Sequence, residues 1–123
     1  MEKVKNTIIV FVDDDKVQHM INRRVLEKLN LKLDVYFFQN PLEALNWLVK
    51  NTVDVIMLDI NMPEMDGWTF LDQMKAKGIK GDVKMLTASL DPDDQDKSKN
   101  FDQISGILIK PIKEEDYLEF LTD

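Results

Sequence analysis

The residues of this 123-residue chain that could do chemistry as a set are Asp13, Asp14 and Asp15, then Asp59, Thr87 and Lys110. The three adjacent aspartates close the apolar run Ile8 to Val12, where each carboxylate raises the cost of ionising its neighbours. Taken singly, a carboxylate at the end of a strand is ordinarily just solvated. As a set they have a natural resolution, a hard divalent cation with oxygen ligands, and Mg²⁺ in particular takes one or two carboxylates while keeping positions for water and phosphate. Lys110 and Thr87 supply what a phosphoryl group needs on its other side, a compact positive charge and a hydroxyl donor. Carboxylates, a cation, a lysine and a hydroxyl together describe phosphoryl transfer to an aspartate nucleophile.

Such a set must be assembled by the fold. The runs Thr7 to Val12, Val53 to Leu58 and Val83 to Leu86 are short, continuous and rich in β-branched residues, as strands buried on both faces of a parallel sheet are. Leu33 to Phe38 and Ile107 to Ile109 are weaker strands. Helical patterns lie between them. Met20, Ile21, Val25 and Leu29 recur at helical spacing, and Leu42, Leu45, Leu48 and Val49 form a stripe behind the Asn40-Pro41 start, with Glu43 as a capping acid. Asp66 caps a third helix with Phe70, Leu71 and Met74 on its apolar face and Gly78 past its end. Asp91 to Asn100 starts like a helix but offers no apolar anchor, and Tyr117, Leu118 and Leu121 line a last helix over 114–121.

Five alternations of strand and helix predict an α/β fold, a doubly wound parallel sheet with right-handed crossovers and helices on both faces. In such sheets sites form at the carboxyl ends of the strands, near the reversal of strand order. Asp13, Asp14, Asp59, Thr87 and Lys110 all fall at strand ends, and adjacency of the first and third strands would bring Asp13, Asp14 and Asp59 together.

Composition narrows the function classes. A length of 123 residues favours one domain over 1–123, and 44% hydrophobic with 32% charged residues is that of a chain that folds unaided. The formal net charge of -7 argues against tight nucleic-acid binding. The absence of cysteine excludes disulfides, thiolate metal sites and cysteine nucleophiles. Lys3 and Lys5 precede an apolar stretch that stops at Asp13, too short for a signal peptide or membrane span, so a cytoplasmic protein without membrane insertion is expected.

The motifs VDDD at 12–15, MLDINMPEMDG at 57–67, MLTA at 85–88 and KP at 110–111 together resemble the receiver domain of bacterial two-component response regulators, over essentially the whole chain. The resemblance implies a stand-alone, chemotaxis-regulator-like receiver with a flavodoxin-like sheet of order 2-1-3-4-5 and a cis peptide between Lys110 and Pro111. It implies that Asp59 accepts a phosphoryl group from a histidine kinase or histidine phosphotransfer protein, and that the chain is a switch for a downstream protein rather than an enzyme. Asp14 would then bind Mg²⁺ directly and Asp13 directly or through water, with Asp59 and the main-chain carbonyl of Asn61. Thr87, Lys110 and the backbone N–H of Ala88 would contact the phosphoryl oxygens, Asn61 and Ser89 would tune the lifetime of the phosphoaspartate, and Asp15 would face solvent. The resemblance also implies a monomer or a weak phosphorylation-dependent dimer. One departure stands out: three positions before Lys110, where the family places a switching aromatic ring, this chain has Ile107.

Two rivals remain at this stage. Asp13 to Val17 also fit the D-x-D-x-[TV] signature of haloacid-dehalogenase-like phosphatases, with Asp13 as nucleophile, although Asp59 would then have no role. A pseudo-receiver that binds partners without phosphorylation is the third class, and the intact acid set with Lys110 speaks against it. His19, the only histidine, is expected to be a partly exposed surface residue. Met57, Met74, Met85 and the two tryptophans are expected to pack, with Trp68 near the Asp59 loop.

Overall fold

The computed structural model describes residues 6–122; Lys3 and Lys5 lie outside them. The elements follow in the order β1 (Thr7–Val12), α1 (Lys16–Leu29), β2 (Leu33–Phe38), α2 (Pro41–Lys50), β3 (Val55–Asp59), α3 (Gly67–Ala76), β4 (Asp82–Thr87), α4 (Pro92–Ser98), β5 (Ile104–Ile109) and α5 (Glu114–Leu121). All four ladders are parallel and the strand order is β2-β1-β3-β4-β5, as expected. The Lys110-Pro111 peptide is cis.

Alternation along the strands divides the core in two. Ile9, Phe11, Val55, Met57 and Leu86 face α1 and α5, meeting Leu26 and Tyr117. Val10, Val12, Ile56, Leu58, Val83 and Met85 face the other way, meeting Ala44, Leu45 and Leu48 of α2 and Phe70, Leu71 and Met74 of α3. Every residue of β3 is buried, which is why its sequence is an unbroken apolar run up to Asp59.

Helix ends follow local chemistry. The side chains of Asp15, Asn40, Asp66 and Asp91 accept backbone N–H groups at the starts of α1 to α4, and Gly78 takes a positive φ of 71° after α3. Asp15 is exposed as expected, and its acceptance from Val17 N at 2.8 Å gives it a capping role besides.

Some expectations need correction. β3 starts at Val55 rather than Val53, because Asp54 turns its side chain to accept Ile8 N at 2.7 Å. β4 reaches from Asp82 to Thr87, and β5 begins at Ile104, its Ser105 and Gly106 masking the strand in sequence. The buried stripe of α1 is His19, Asn22 and Leu26, while Met20 is 56% exposed. On α2, Leu42 and Val49 flank the stripe and point outward, leaving Ala44, Leu45 and Leu48 inside. On α5, Tyr117 is buried, Leu121 half-buried and Leu118 exposed. α4 buries no residue, as its lack of apolar anchors predicts.

Candidate functional site

The parallel order sets the ends of β1 and β3 side by side, with Val12 opposite Leu58. Carboxylate oxygens of Asp13, Asp14 and Asp59 accordingly lie within 4.8 Å of one another, Asp13 and Asp59 buried and Asp14 exposed. β4 and β5 complete the row. Thr87 pairs with Ile109, and the next residue, Lys110, donates its amide to Thr87 O at 2.8 Å. From there the Lys110 side chain reaches back over the sheet, its Nζ 2.7 Å from Asp13 Oδ2 and 3.2 Å from Asp59 Oδ1.

The cluster is electrostatically strained in a definite direction. Burial first, and the Asp13 carboxylate second, push the Asp59 carboxyl up to about 6 from an ordinary 3.8; Lys110 and the Asn61 N–H, 3.3 Å from Asp59 Oδ1, pull the other way. Burial works against the Lys110 ammonium, but its contacts with Asp13 and then Asp59 more than offset this and leave its pKa above the usual lysine value. Asp13 Oδ1 accepts Asp15 N at 2.9 Å. Asp13 Oδ2 is buried and faces the Lys110 ammonium at 2.7 Å, which leaves one of its lone pairs free. A buried carboxylate oxygen with spare acceptor capacity, facing two more carboxylates, suits a small hard cation.

The remaining expected residues lie around this cluster. Asn61 is exposed in the β3–α3 loop, and Ala88 and Ser89 follow β4. The Thr87 hydroxyl is turned onto its own loop, donating to Ser89 O at 2.7 Å and accepting Ser89 N at 3.3 Å. Ile107 is half-buried opposite Met85, two residues down β5 from the Thr87–Ile109 pair. Trp68 is 7% exposed and packs on Phe101 at 5.6 Å.

Two residues, His19 and Gly67, depart from what the sequence suggests. His19 is buried rather than partly exposed, because its Nε2 meets the Asp13 main-chain O at 2.8 Å and its ring lies edge-on to Phe37. Gly67 lets the start of α3 press against β3: a Cβ there would stand 2.8 Å from Asp59 O and 3.0 Å from Ile60 Cα. The signal for Gly67 was in the sequence, a glycine directly after a helix cap, where only close approach of another backbone rewards its conformational cost.

Comparison with known proteins agrees with this geometry. The family model of the response regulator receiver domain matches residues 9–122. The chain is 31% identical over 106 residues to the cyclic di-GMP phosphodiesterase response regulator RpfG of Xanthomonas campestris pv. campestris, covering 85% of this chain and 28% of that protein. It is 31% identical over 113 residues to the probable C4-dicarboxylate response regulator DctR of Priestia megaterium, covering 92% of this chain and 49% of that one. The chain thus spans half or less of these curated relatives. A two-component response regulator from Cytophaga hutchinsonii superposes with a TM-score of 0.83 at 25% identity over 94% of each chain. A chemotaxis protein of Vibrio cholerae superposes with a TM-score of 0.76 at 27% identity over 95% of this chain and 97% of that one. The chain belongs to the response regulator receiver domain family.

Proposed function

We propose that residues 1–123 act as a single receiver domain, a phosphorylation-dependent signalling switch in which Asp59 accepts a phosphoryl group from the phosphohistidine of a histidine kinase or phosphotransfer protein. The observation that carries this reading is the Asp59 carboxylate held against the Lys110 ammonium at 3.2 Å and beside the Asp13 and Asp14 carboxylates. An Asp59 oxygen forms the new P–O bond as the P–N bond of the donor breaks, and the electron pair returns to the donor imidazole.

Asp13, Asp14 and Asp59, with the Asn61 main-chain carbonyl, would hold Mg²⁺. Bound there, the cation would neutralise charge on the phosphoryl oxygens during transfer. Lys110, pinned between Asp13 and Asp59, offers a fixed positive charge to another phosphoryl oxygen. The Thr87 hydroxyl must leave Ser89 O before it can donate to the phosphoryl group, which couples occupancy of Asp59 to the loop after β4. The Ala88 N–H joins it, and Asn61 and Ser89 border the path of a hydrolytic water. Receiver domains are regulatory modules, and the output goes to a downstream protein from a cytoplasmic monomer or weak phosphorylation-dependent dimer. Among the described residues no helix is long and apolar enough to cross a membrane.

The phosphatase reading gains nothing. Its nucleophile would be Asp13, whose side chain is 1% exposed, with one oxygen on Asp15 N and the other on Lys110. With acetyl phosphate and Mg²⁺, the protein should gain one labile phosphoryl group and Asp59→Asn none. A labelled Asp59→Asn beside a silent Asp13→Asn would reverse the assignment.

A further inference from the structure

His19 is the one histidine of the chain, and two contacts hold its ring. It lies edge-on to Phe37, with centroids 5.1 Å apart and planes at 62°. Phe37 in turn stacks on Phe11 at 5.0 Å and carries the Arg23 guanidinium 4.9 Å above its ring. So held, the ring places Nε2 2.8 Å from the Asp13 carbonyl oxygen. A carbonyl only accepts, so Nε2 carries a proton, while the buried Nδ1 has no partner.

Asp13 is the hinge between β1 and α1, and every polar group it has is restrained. Its N–H donates to Phe38 O at 3.0 Å, its Oδ1 accepts Asp15 N, its Oδ2 faces Lys110, and its carbonyl receives His19. The carbonyl bond is the one that ties α1 to the peptide unit following Asp13. Without it a buried oxygen is left unpaired, and that peptide is free to rotate and take the Asp15 amide away from the carboxylate.

We propose that His19, donating from Nε2, is a positioning residue that sets the orientation of the Asp13 carboxylate for cation binding. The inference rests on the reading of Asp13, Asp14 and Asp59 as the cation site. It makes His19 an outer partner acting through the main chain of a ligand, and outer partners of this kind are worth about tenfold or more in metal affinity.

Two substitutions separate the donor from the bulk. In His19→Met an apolar side chain of similar length fills the space, whereas in His19→Gln the amide nitrogen can reach where Nε2 stood. Mg²⁺ titration of the full chain, followed by Trp68 fluorescence or NMR shifts, should show H19M binding about tenfold more weakly, with H19Q recovering most of the loss. Without Mg²⁺, the Asp15 amide should exchange faster in H19M and near the wild-type rate in H19Q. Long-range nitrogen correlation spectra of the wild type should show the proton on Nε2, a result that needs no variant to fold. Equal Mg²⁺ affinity in wild type and H19M, equal losses in both variants, or an unprotonated Nε2 would each overturn the inference. A wild type that ignores Mg²⁺ while Asp59→Asn abolishes labelling would remove the cation site itself, and the His19 role with it.

Discussion

The carboxyl ends of β1 and β3 and the outer edge made by α4 and β5 are built on opposite terms. At the centre, Val10 to Asp13 and all of β3 are buried, so the aspartates stand on strands that cannot shift without opening both cores. At the edge, α4 buries nothing and no residue of β5 is fully buried. A charged site needs the first kind of support, since the orientation of each carboxylate matters. A responsive surface needs the second, because segments with few buried contacts open at low free-energy cost and a small bias redistributes them.

The largest effects should separate the two regions outright. Leu71 is fully buried on α3, and Leu71→Ala should lose about 2–5 kcal/mol in urea denaturation through lost burial and the cavity left behind. Gln95→Ala on the exposed face of α4 should stay within about 0.5 kcal/mol. Comparable losses at both positions would dissolve the contrast.

Gly67 tests how tightly α3 is fitted to the strand that carries the site. The atoms a Cβ would meet at 2.8 and 3.0 Å are Asp59 O and Ile60 Cα, backbone that cannot swing aside. Gly67→Ala should therefore destabilise by about 1–3 kcal/mol and slow labelling by acetyl phosphate, since relief means displacing Asp59 itself. A stable variant with unchanged labelling would show that α3 can ride outward without disturbing β3.

The centre should also show the strain of its own charge. Asp59 titrates at about 6 in the folded chain against an ordinary 3.8, burial and Asp13 being the causes. The native state thus keeps a proton that the unfolded chain gives up between about pH 4 and 6. Stability contributed by that proton is full below this window, falls as pH rises through it, and is gone above it. Asp59→Asn escapes the loss. Without Mg²⁺ the variant should match wild type near pH 4 and exceed it by about 1–2 kcal/mol at pH 7, after allowing for solvent screening at the mouth of the site. A variant less stable than wild type at pH 7 would mean that the Lys110 contact outweighs the repulsion.

Much of the centre was legible in the sequence, for a reason that the edge does not share. Unbroken apolar runs marked β1 and β3, and an acid at the end of a fully buried run has few roles open to it, so Asp13 and Asp59 declared themselves. The burial of His19 was not legible: a histidine among charged residues reads as surface, and only the Asp13 carbonyl and Phe37, brought from β1 and β2, make it interior. Similarly Asn22 is buried because Tyr117, 95 positions away, donates its hydroxyl at 2.8 Å, a pairing that no local pattern encodes. On α2 the apolar residues outnumber the width of the buried stripe, so spacing alone could not tell Leu45 from Leu42. At β5 the small and polar Ser105 and Gly106 hid half a strand that exists because β4 offers it a partner.

The smallest effect belongs to the edge, where α4 buries no residue. Lys97 Nζ lies 5.2 Å from the centroid of the Trp68 ring, which itself packs on Phe101. A cation over an aromatic face at an exposed site contributes about 0.5–1 kcal/mol, too little to move a global denaturation midpoint but a large share of what holds so short a helix down. Lys97→Ala should therefore leave urea stability nearly unchanged while the amides of residues 93–98 exchange about two- to fivefold faster, the factor that such an energy implies when opening is local. Beryllofluoride with Mg²⁺ should change exchange in the same segment, since Thr87 leaving Ser89 O alters the loop that leads into Asp91. With Ile107 in place of a ring, exchange in 93–98 should respond even though no aromatic side chain moves. Should these amides be as protected as those of α1, and indifferent both to Lys97→Ala and to beryllofluoride, the edge would be as rigid as the centre and the signal would have to leave the domain elsewhere.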